Sequence, residues 1–320
     1  MNQFYQLGVQ SPFELSSRYE DTSLDFNSAS TIIANARKIL IEHEVLAKEF
    51  STADQVLDNR NKIIRYATGS DKFDALLDGG FESQSITELV GEFGSGKSQI
   101  CHTLCIAANK LMETSPHNDA EKSNKHSTLG NIIFIDTENT FRAERAYQIA
   151  EQKGLDPLTV LNTIYHCNVF NSEELESIID NLDKFIEQYN AKLVIIDSII
   201  SLHRAEFSGR GTLAERLGRM LNKLRRIADI YSIAVVITNQ VVSYADGSHP
   251  GFDYMKAAGG NIVAHGSTYR IFLRKSGKNR VATMEDSPYQ SYQRVKFSIS
   301  ENGIQNAISY KTQEENDSAW

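Results

Sequence analysis

Gly91-Glu92-Phe93-Gly94-Ser95-Gly96-Lys97-Ser98 meets the pattern G-x-x-x-x-G-K-[ST] at every fixed position. Its flanks separate it from a chance glycine-rich turn. Ser85 to Val90 reads as a short strand, and beyond the glycines Ile100, Leu104, Ala107, Ala108 and Leu111 recur at helical spacing between Gln99 and Met112. A strand, a glycine loop and a helix N-terminus together aim backbone N–H groups and a positive dipole end at one point, an arrangement that binds phosphates. Residues 91–99 are therefore the predicted nucleotide site, with Lys97 reaching the β- and γ-phosphates and the Ser98 hydroxyl holding Mg²⁺.

The chain of 320 residues has room for one large α/β domain and a smaller one. With 41% hydrophobic and 23% charged residues it has an ordinary globular composition, and no apolar run nears the about 18 residues that cross a bilayer. MNQFYQLGVQ at the start lacks the basic and apolar segments of a secretory signal, so a cytosolic chain with no membrane partner is expected. The three cysteines show no zinc-ligand spacing, and Cys101 and Cys105 read as buried thiols on the apolar side of the predicted helix. A net charge of −8 argues against general adhesion to nucleic acid. It leaves room for a local basic surface. Arg204, Arg210, Arg216, Arg219, Lys223, Arg225 and Arg226 face only Glu206 and Glu215 between His203 and Arg226, as either a solvated helix face or a phosphate-contacting one.

Patterning divides the chain. Residues 1–46 read as a small all-α N-terminal domain: Ser11-Pro12-Phe13-Glu14-Leu15 opens one helix, and Ile32, Ile33, Ala36, Ile39, Leu40 and Val45 form a stripe on a second, Ser28 to Leu46. Residues 47–65 form a polar connector in which Phe50 and Ala53 stand out. Across 66–308 strands and helices alternate, which predicts an α/β core with a mostly parallel sheet covered on both faces. The predicted strands are Ser85–Val90, Asn131–Asp136, Leu193–Asp197, Ala234–Thr238 and Thr268–Arg274, with an antiparallel extension from Arg280–Asp286 and Val295–Ser300. The insert SPHNDAEKSNKHST is expected to be a mobile surface loop, and residues 309–320 a disordered tail.

Ligands of such sheets bind beyond the carboxyl ends of the strands, and three of those ends here carry polar groups. Leu193-Val194-Ile195-Ile196 ends in Asp197, which is predicted to orient Mg²⁺, partly through water. Ile132-Ile133-Phe134-Ile135 ends in Asp136-Thr137-Glu138; Glu138 is the candidate for polarising an attacking water, while either acid could instead cap a local turn. Val235-Val236-Ile237-Thr238 ends in Asn239-Gln240, and a neutral amide there can bond a γ-phosphate and release it on hydrolysis. Two polar gaps follow, His203–Leu213 and Val242–Gly260. Arginines beside glycines and aromatics in these gaps suit a groove for single-stranded nucleic acid, with plain disorder as the alternative.

Seven separated stretches extend this reading: ATGSDKFDALLDGGFESQSITELVGEFGSGKSQICHTL, FIDTENTFRAER, LVIIDSI, RAEFSGRGTLAERL, AVVITNQVV, GGNIVAHGST and DSP. In order and spacing, over residues 47–305, they resemble the RecA-type homologous-recombination ATPases, in the archaeal RadA and eukaryotic strand-exchange branch and nearest its RadA side. The resemblance implies a RecA-like P-loop ATPase core that uses ATP and Mg²⁺. It implies a DNA-dependent ATPase that forms filaments on single-stranded DNA and exchanges strands in homologous recombination and repair. Lys97, Glu138 and Gln240 would be catalytic, Ser98 and Asp197 would hold the metal, and Arg145 would stack on the adenine. Arg204, Phe207, Arg210 and Gly211 would belong to a first DNA loop, and Val242–Gly260, including Gly259 and Gly260, to a second.

Phe50-Ser51-Thr52-Ala53 resembles the F-x-x-A polymerisation motif, although by itself Phe50 reads as a linker anchor; His265, Asp286 and Pro288 match positions at the subunit interface. Implied partners are single- and double-stranded DNA, further copies of the chain in a helical filament or ring, and recombination mediators. The setting would be cytoplasmic and nucleoid-associated for an archaeal chain, nuclear for a eukaryotic one. Departures from the family are Ala143 in place of proline, YQSY after DSP in place of a proline–glutamate pair, and the glycine-free RYEDTSLDFN between the N-terminal helices. Duplex binding is therefore not assigned to residues 1–46. A regulatory paralogue, a RecA-fold hexameric helicase and a signalling ATPase are the rival readings, and Glu138, FSTA and the two loop segments favour the recombinase.

Overall fold

The computed structural model describes residues 31, 32, 34, 35, 38, 50–114, 131–206, 210–244 and 254–307. The expected helix at Ser11–Leu15, the insert SPHNDAEKSNKHST and the tail 309–320 lie outside the described residues; so does the expected helix at Ser28–Leu46, apart from the five positions between 31 and 38, which are helical.

The first described elements are α1 (Ala53–Arg60), β1 (Arg65–Tyr66), α2 (Asp71–Ala75), β2 (Phe81–Glu82), β3 (Ser85–Gly91) and α3 (Lys97–Thr114). There follow β4 (Asn131–Asp136), α4 (Ala143–Gln152), α5 (Pro157–Leu161), β5 (Ile164–Asn168), α6 (Ser172–Asp180), α7 (Leu182–Tyr189) and β6 (Ala191–Asp197). Next come α8 (Ser201–Glu206), α9 (Arg210–Tyr231), β7 (Ala234–Asn239), β8 (Val241–Tyr244), β9 (Tyr254–Ala257) and α10 (Gly260–Gly266). The last four are β10 (Tyr269–Ser276), β11 (Asn279–Asp286), β12 (Arg294–Ser300) and β13 (Gly303–Asn306).

Among the described residues nine strands form one sheet in the order β13-β12-β11-β10-β3-β7-β6-β4-β5. The run from β10 to β5 is parallel, and β11, β12 and β13 extend it antiparallel; the alternating pattern predicts the first two of these, while the four-residue β13 is an addition. The central strands are apolar throughout because successive side chains enter two different cores. Ile132, Phe134, Leu193, Ile195, Ala234 and Val236 join the core that holds Leu104 of α3 and Ile149 of α4. Ile133, Ile135, Val194, Ile196, Val235 and Ile237 join the one that holds Leu175 of α6 and Leu224 of α9. Each fully buried aliphatic side chain contributes about 1.5–3 kcal/mol, so the alternation sets the register as well as the stability.

Four differences from the sequence-based expectations have local causes. β5 was not among the predicted strands: it is the sheet edge, mostly exposed, and its sequence IYHCN has neither an apolar run nor alternation. The gap His203–Leu213 is largely helical, with α8 running to Glu206 and α9 starting at Arg210. The second gap is narrowed by an antiparallel ribbon, Val241 to Tyr244 against Tyr254 to Ala257, and it ends where α10 begins at Gly260. Finally, the connector contains α1, whose start is fixed by a capping box between Thr52 and Gln55.

Candidate functional site

The glycine loop joins β3 to α3 at the carboxyl edge of the parallel strands, and its conformation explains its composition. Gly94 and Gly96 have φ of 73° and 111°, a region that favours glycine. A Cβ on Gly91 would meet the Leu273 carbonyl oxygen and Ser95 Oγ, each at 2.5 Å, so that position also admits no side chain without displacement. The Lys97 ammonium donates to the carbonyls of Gly91 (2.8 Å) and Glu92 (3.0 Å). Burial lowers the Lys97 pKa, and the carboxylates of Asp197 and Glu138 act against that shift. Phe93 is exposed at the loop's tip. Gln99 accepts a hydrogen bond from Arg145 Nε (2.9 Å), whose guanidinium also donates to Gln148 and to the carbonyls of Ser300 and Glu301. Arg145 thus stands beside the first turn of α3.

Two carboxylates converge on the same edge. Asp197 is buried, accepting from Ser98 Oγ at 2.7 Å and from Thr140 Oγ1 at 3.0 Å on one oxygen, and from the Thr238 hydroxyl on the other. Glu138 lies on the turn after β4; its Oε1 accepts from Ser198 Oγ and from Gln240 Nε2, both at 2.8 Å. Gln240 in turn accepts from Arg204 Nη1 through Oε1 (3.2 Å). The structure therefore brings Lys97, Ser98, Asp197, Glu138 and Gln240 together, and it extends that group to an arginine on α8.

The turn that carries Glu138 is held by Asp136, whose carboxylate accepts from the backbone N–H groups of Glu138 (3.1 Å), Thr140 (3.1 Å) and Phe141 (2.9 Å). Of the two roles open to Asp136, turn capping is the one seen. Behind the turn, Phe141 stacks on His102 (ring centroids 5.1 Å apart) and on His166 (4.7 Å). His102 donates from Nδ1 to the Ser98 carbonyl (2.7 Å) and accepts from the Arg142 N–H at Nε2 (3.0 Å), which fixes a neutral tautomer. Burial depresses its pKa in the same sense. Burial pushes the thiols of Cys101 and Cys105 up, so both are protonated packing residues in α3, as expected.

Other candidates lie apart from this group. Arg210 and Gly211 form the first turn of α9, whereas Phe207 lies outside the described residues. Both flanks of that segment are tied to α6: His203 Nε2 and Arg216 Nη1 share Glu176 Oε1, each at 2.9 Å. Gly259, with φ of 81°, caps α10 at its N-terminus, and Gly260 starts that helix. His265 is on α10, Asp286 ends β11 and Pro288 follows it, all three exposed. Phe50 is 92% exposed and precedes α1, with Ala53 as that helix's first residue.

Thr140, Thr238 and Ser198 went unnoticed in the sequence. The signal for all three was adjacency to a strand-end acid or to the amide switch, a cue too common to single them out. Arg204 was assigned to nucleic acid alone, and its contact with Gln240 joins residues 36 apart in the chain.

A parallel sheet with a phosphate loop after β3, an acid ending β6 on the far side of β7 and a second acid beyond β4 defines a P-loop ATPase with a RecA-like core. The chain belongs to the Rad51 family, whose sequence model matches residues 59–307. It is 42% identical over 303 residues to the DNA repair and recombination protein RadA of Cenarchaeum symbiosum (strain A), an alignment that covers 93% of this chain and 72% of that protein.

Proposed function

We propose that the chain is an ATP-dependent DNA strand-exchange recombinase that assembles head to tail on single-stranded DNA. The observation that carries this reading is the hydrogen-bonded path Ser198–Glu138–Gln240–Arg204, which runs from the candidate hydrolytic carboxylate to the helix leading into the first DNA segment. Membership of the Rad51 family supports the same activity.

Each residue's part follows from its chemistry. Lys97 and the backbone N–H groups of residues 91–98 neutralise the phosphates of ATP. Glu138 accepts a proton from the attacking water. Ser98 and Asp197 offer one hydroxyl and one carboxylate, a hard-oxygen set that fits Mg²⁺ when phosphates and water complete its shell. Among the described residues no group of three or more His, Cys, Asp or Glu side chains forms a metal cage of its own, in keeping with that shared coordination. Bound there, the ion would offset the charge on the phosphates. Gln240 donates to Glu138 through Nε2 and accepts from Arg204 through Oε1, so re-aiming Nε2 at a γ-phosphate shifts both contacts, and nucleotide state is felt at α8 and at the second DNA segment. Phe50 and Ala53 dock on a neighbouring copy, and His265, Asp286 and Pro288 face the neighbour's nucleotide. By the likeness to the RadA protein of Cenarchaeum symbiosum the proposed setting is cytoplasmic, with a nuclear one as the alternative for a eukaryotic chain. No helix among the described residues is long and apolar enough to cross a membrane.

Phosphate release measured with and without single-stranded DNA tests the reading. Stimulation by DNA is expected, with long filaments visible by electron microscopy in the presence of ATP. Intact ATP binding without stimulation would contradict it, and closed rings that unwind duplex would indicate a helicase instead.

A further inference from the structure

Glu88 has no part in the mechanism above. It lies in the middle of β3, between β10 and β7, and its side chain is fully buried. A carboxylate in that place needs partners, and it has three, the most distant being Ser267 Oγ, 3.4 Å from Oε2. Oε2 accepts from Arg270 Nε on β10 at 2.7 Å, and Oε1 accepts from Asn239 Nδ2 at the end of β7, also at 2.7 Å. Asn239 is itself buried and fully committed: its amide gives its other hydrogen to the Ala258 carbonyl (2.8 Å), and its oxygen accepts from the backbone N–H of Gln240 (2.7 Å). The ring closes through Ala258, whose N–H donates to the Gln240 carbonyl at 2.8 Å.

Both backbone polar groups of Gln240 are thus held by one small network, which also ties the two ends of the second DNA segment together. The network works with only one orientation of the Asn239 amide. Turned over, its oxygen would face the Glu88 carboxylate and the Ala258 carbonyl, and its hydrogens would face the Gln240 N–H. The carboxylate thereby sets the orientation, and Arg270 holds the carboxylate. Buried ion pairs add little stability compared with apolar packing, so orientation is the better account of a charge in this strand.

We propose that Glu88 and Asn239 are positioning residues that aim Gln240 between Glu138 and Arg204, and that Arg270 fixes Glu88 for this purpose. The effect on catalysis rests on the recombinase reading; the effect on the Gln240 backbone does not. Two measurements on the full-length protein separate them. Hydrogen exchange of the Gln240 and Ala258 amides reads the network directly, and DNA-stimulated ATP hydrolysis reads its use.

In E88Q the two closest neighbours, Arg270 Nε and Asn239 Nδ2, are both donors, so one meets the donor end of the new amide, with only Ser267 Oγ at 3.4 Å as an alternative acceptor. N239D, close to isosteric, sets two carboxylates together. Both variants are expected to speed exchange at the two amides and to lower the DNA-stimulated kcat about tenfold or more, with the affinity for ATP unchanged. Adding R270Q to E88Q supplies an acceptor for that donor end, and is expected to restore slow exchange and most of the stimulation. Wild-type exchange at both amides in E88Q and N239D would overturn the proposal. So would loss of ATP affinity and of thermal stability in step with kcat, unrelieved by R270Q, which would mark a purely structural pair. If exchange changes as expected while the wild-type enzyme shows no DNA stimulation, the recombinase reading is what fails, and the claimed effect on catalysis is overturned with it.

Discussion

Replacing Glu138 with glutamine is expected to slow ATP turnover by about a hundredfold or more, the usual scale for loss of a general base, while ATP still binds. An amide oxygen at that position can accept from Ser198 Oγ and Gln240 Nε2 as the carboxylate does, at the 2.8 Å seen here. The turn itself is held by Asp136, so its shape survives the change. What is lost is the capacity to take a proton from water. Single-turnover hydrolysis together with binding of a fluorescent ATP analogue checks this. Hydrolysis near the wild-type rate would remove Glu138 from the chemistry. The same variant should hold DNA longer than wild type, because nothing then resets Gln240.

Phe50 to glutamate is expected to abolish assembly and leave the subunit intact. Phe50 is 92% exposed and α1 has no buried residue, so the fold does not depend on that ring. The subunit holds α1 instead through its far end, where Arg60 Nη2 pairs with buried Glu82 at 2.8 Å. Burying one phenylalanine in a neighbour is worth about 1.5–3 kcal/mol before ordering costs. Losing it weakens each contact by roughly ten- to a hundredfold, since 1.4 kcal/mol is a factor of ten. A carboxylate forced into the same apolar pocket weakens it further. Light scattering with ATP and single-stranded DNA should show a monomer, and its unfolding temperature should match that of the unassembled wild-type subunit. Filaments of normal length would leave Phe50 as the mere linker anchor that its local sequence suggests.

The parts of this molecule legible in the sequence are those whose cause is local. Continuous apolar runs such as IIFID and LVIID mark strands buried on both faces, and the acids ending them fall at the ligand edge because the strands are parallel. The phosphate loop is legible because glycine is required by φ at Gly94 and Gly96 and by close approach at Gly91. Edge strand β5 was hidden because exposure removes the apolar signal. The gap after Asp197 looked like a loop because Gly209 and Gly211 interrupt its periodicity, yet α8 and α9 close in on it from both sides. The network around Glu88 was out of reach for a different reason. Glu88 and Arg270 are 182 residues apart and meet only because β10 lies beside β3. No spacing rule connects them; topology does.

The most direct test of the account is formation of displacement loops. A labelled single-stranded oligonucleotide is incubated with the protein and ATP, then with supercoiled plasmid of matching or unrelated sequence. The account predicts joint molecules that require ATP, Lys97 and homology. No joint molecules, at protein levels where the same oligonucleotide fully stimulates ATP hydrolysis, would contradict it.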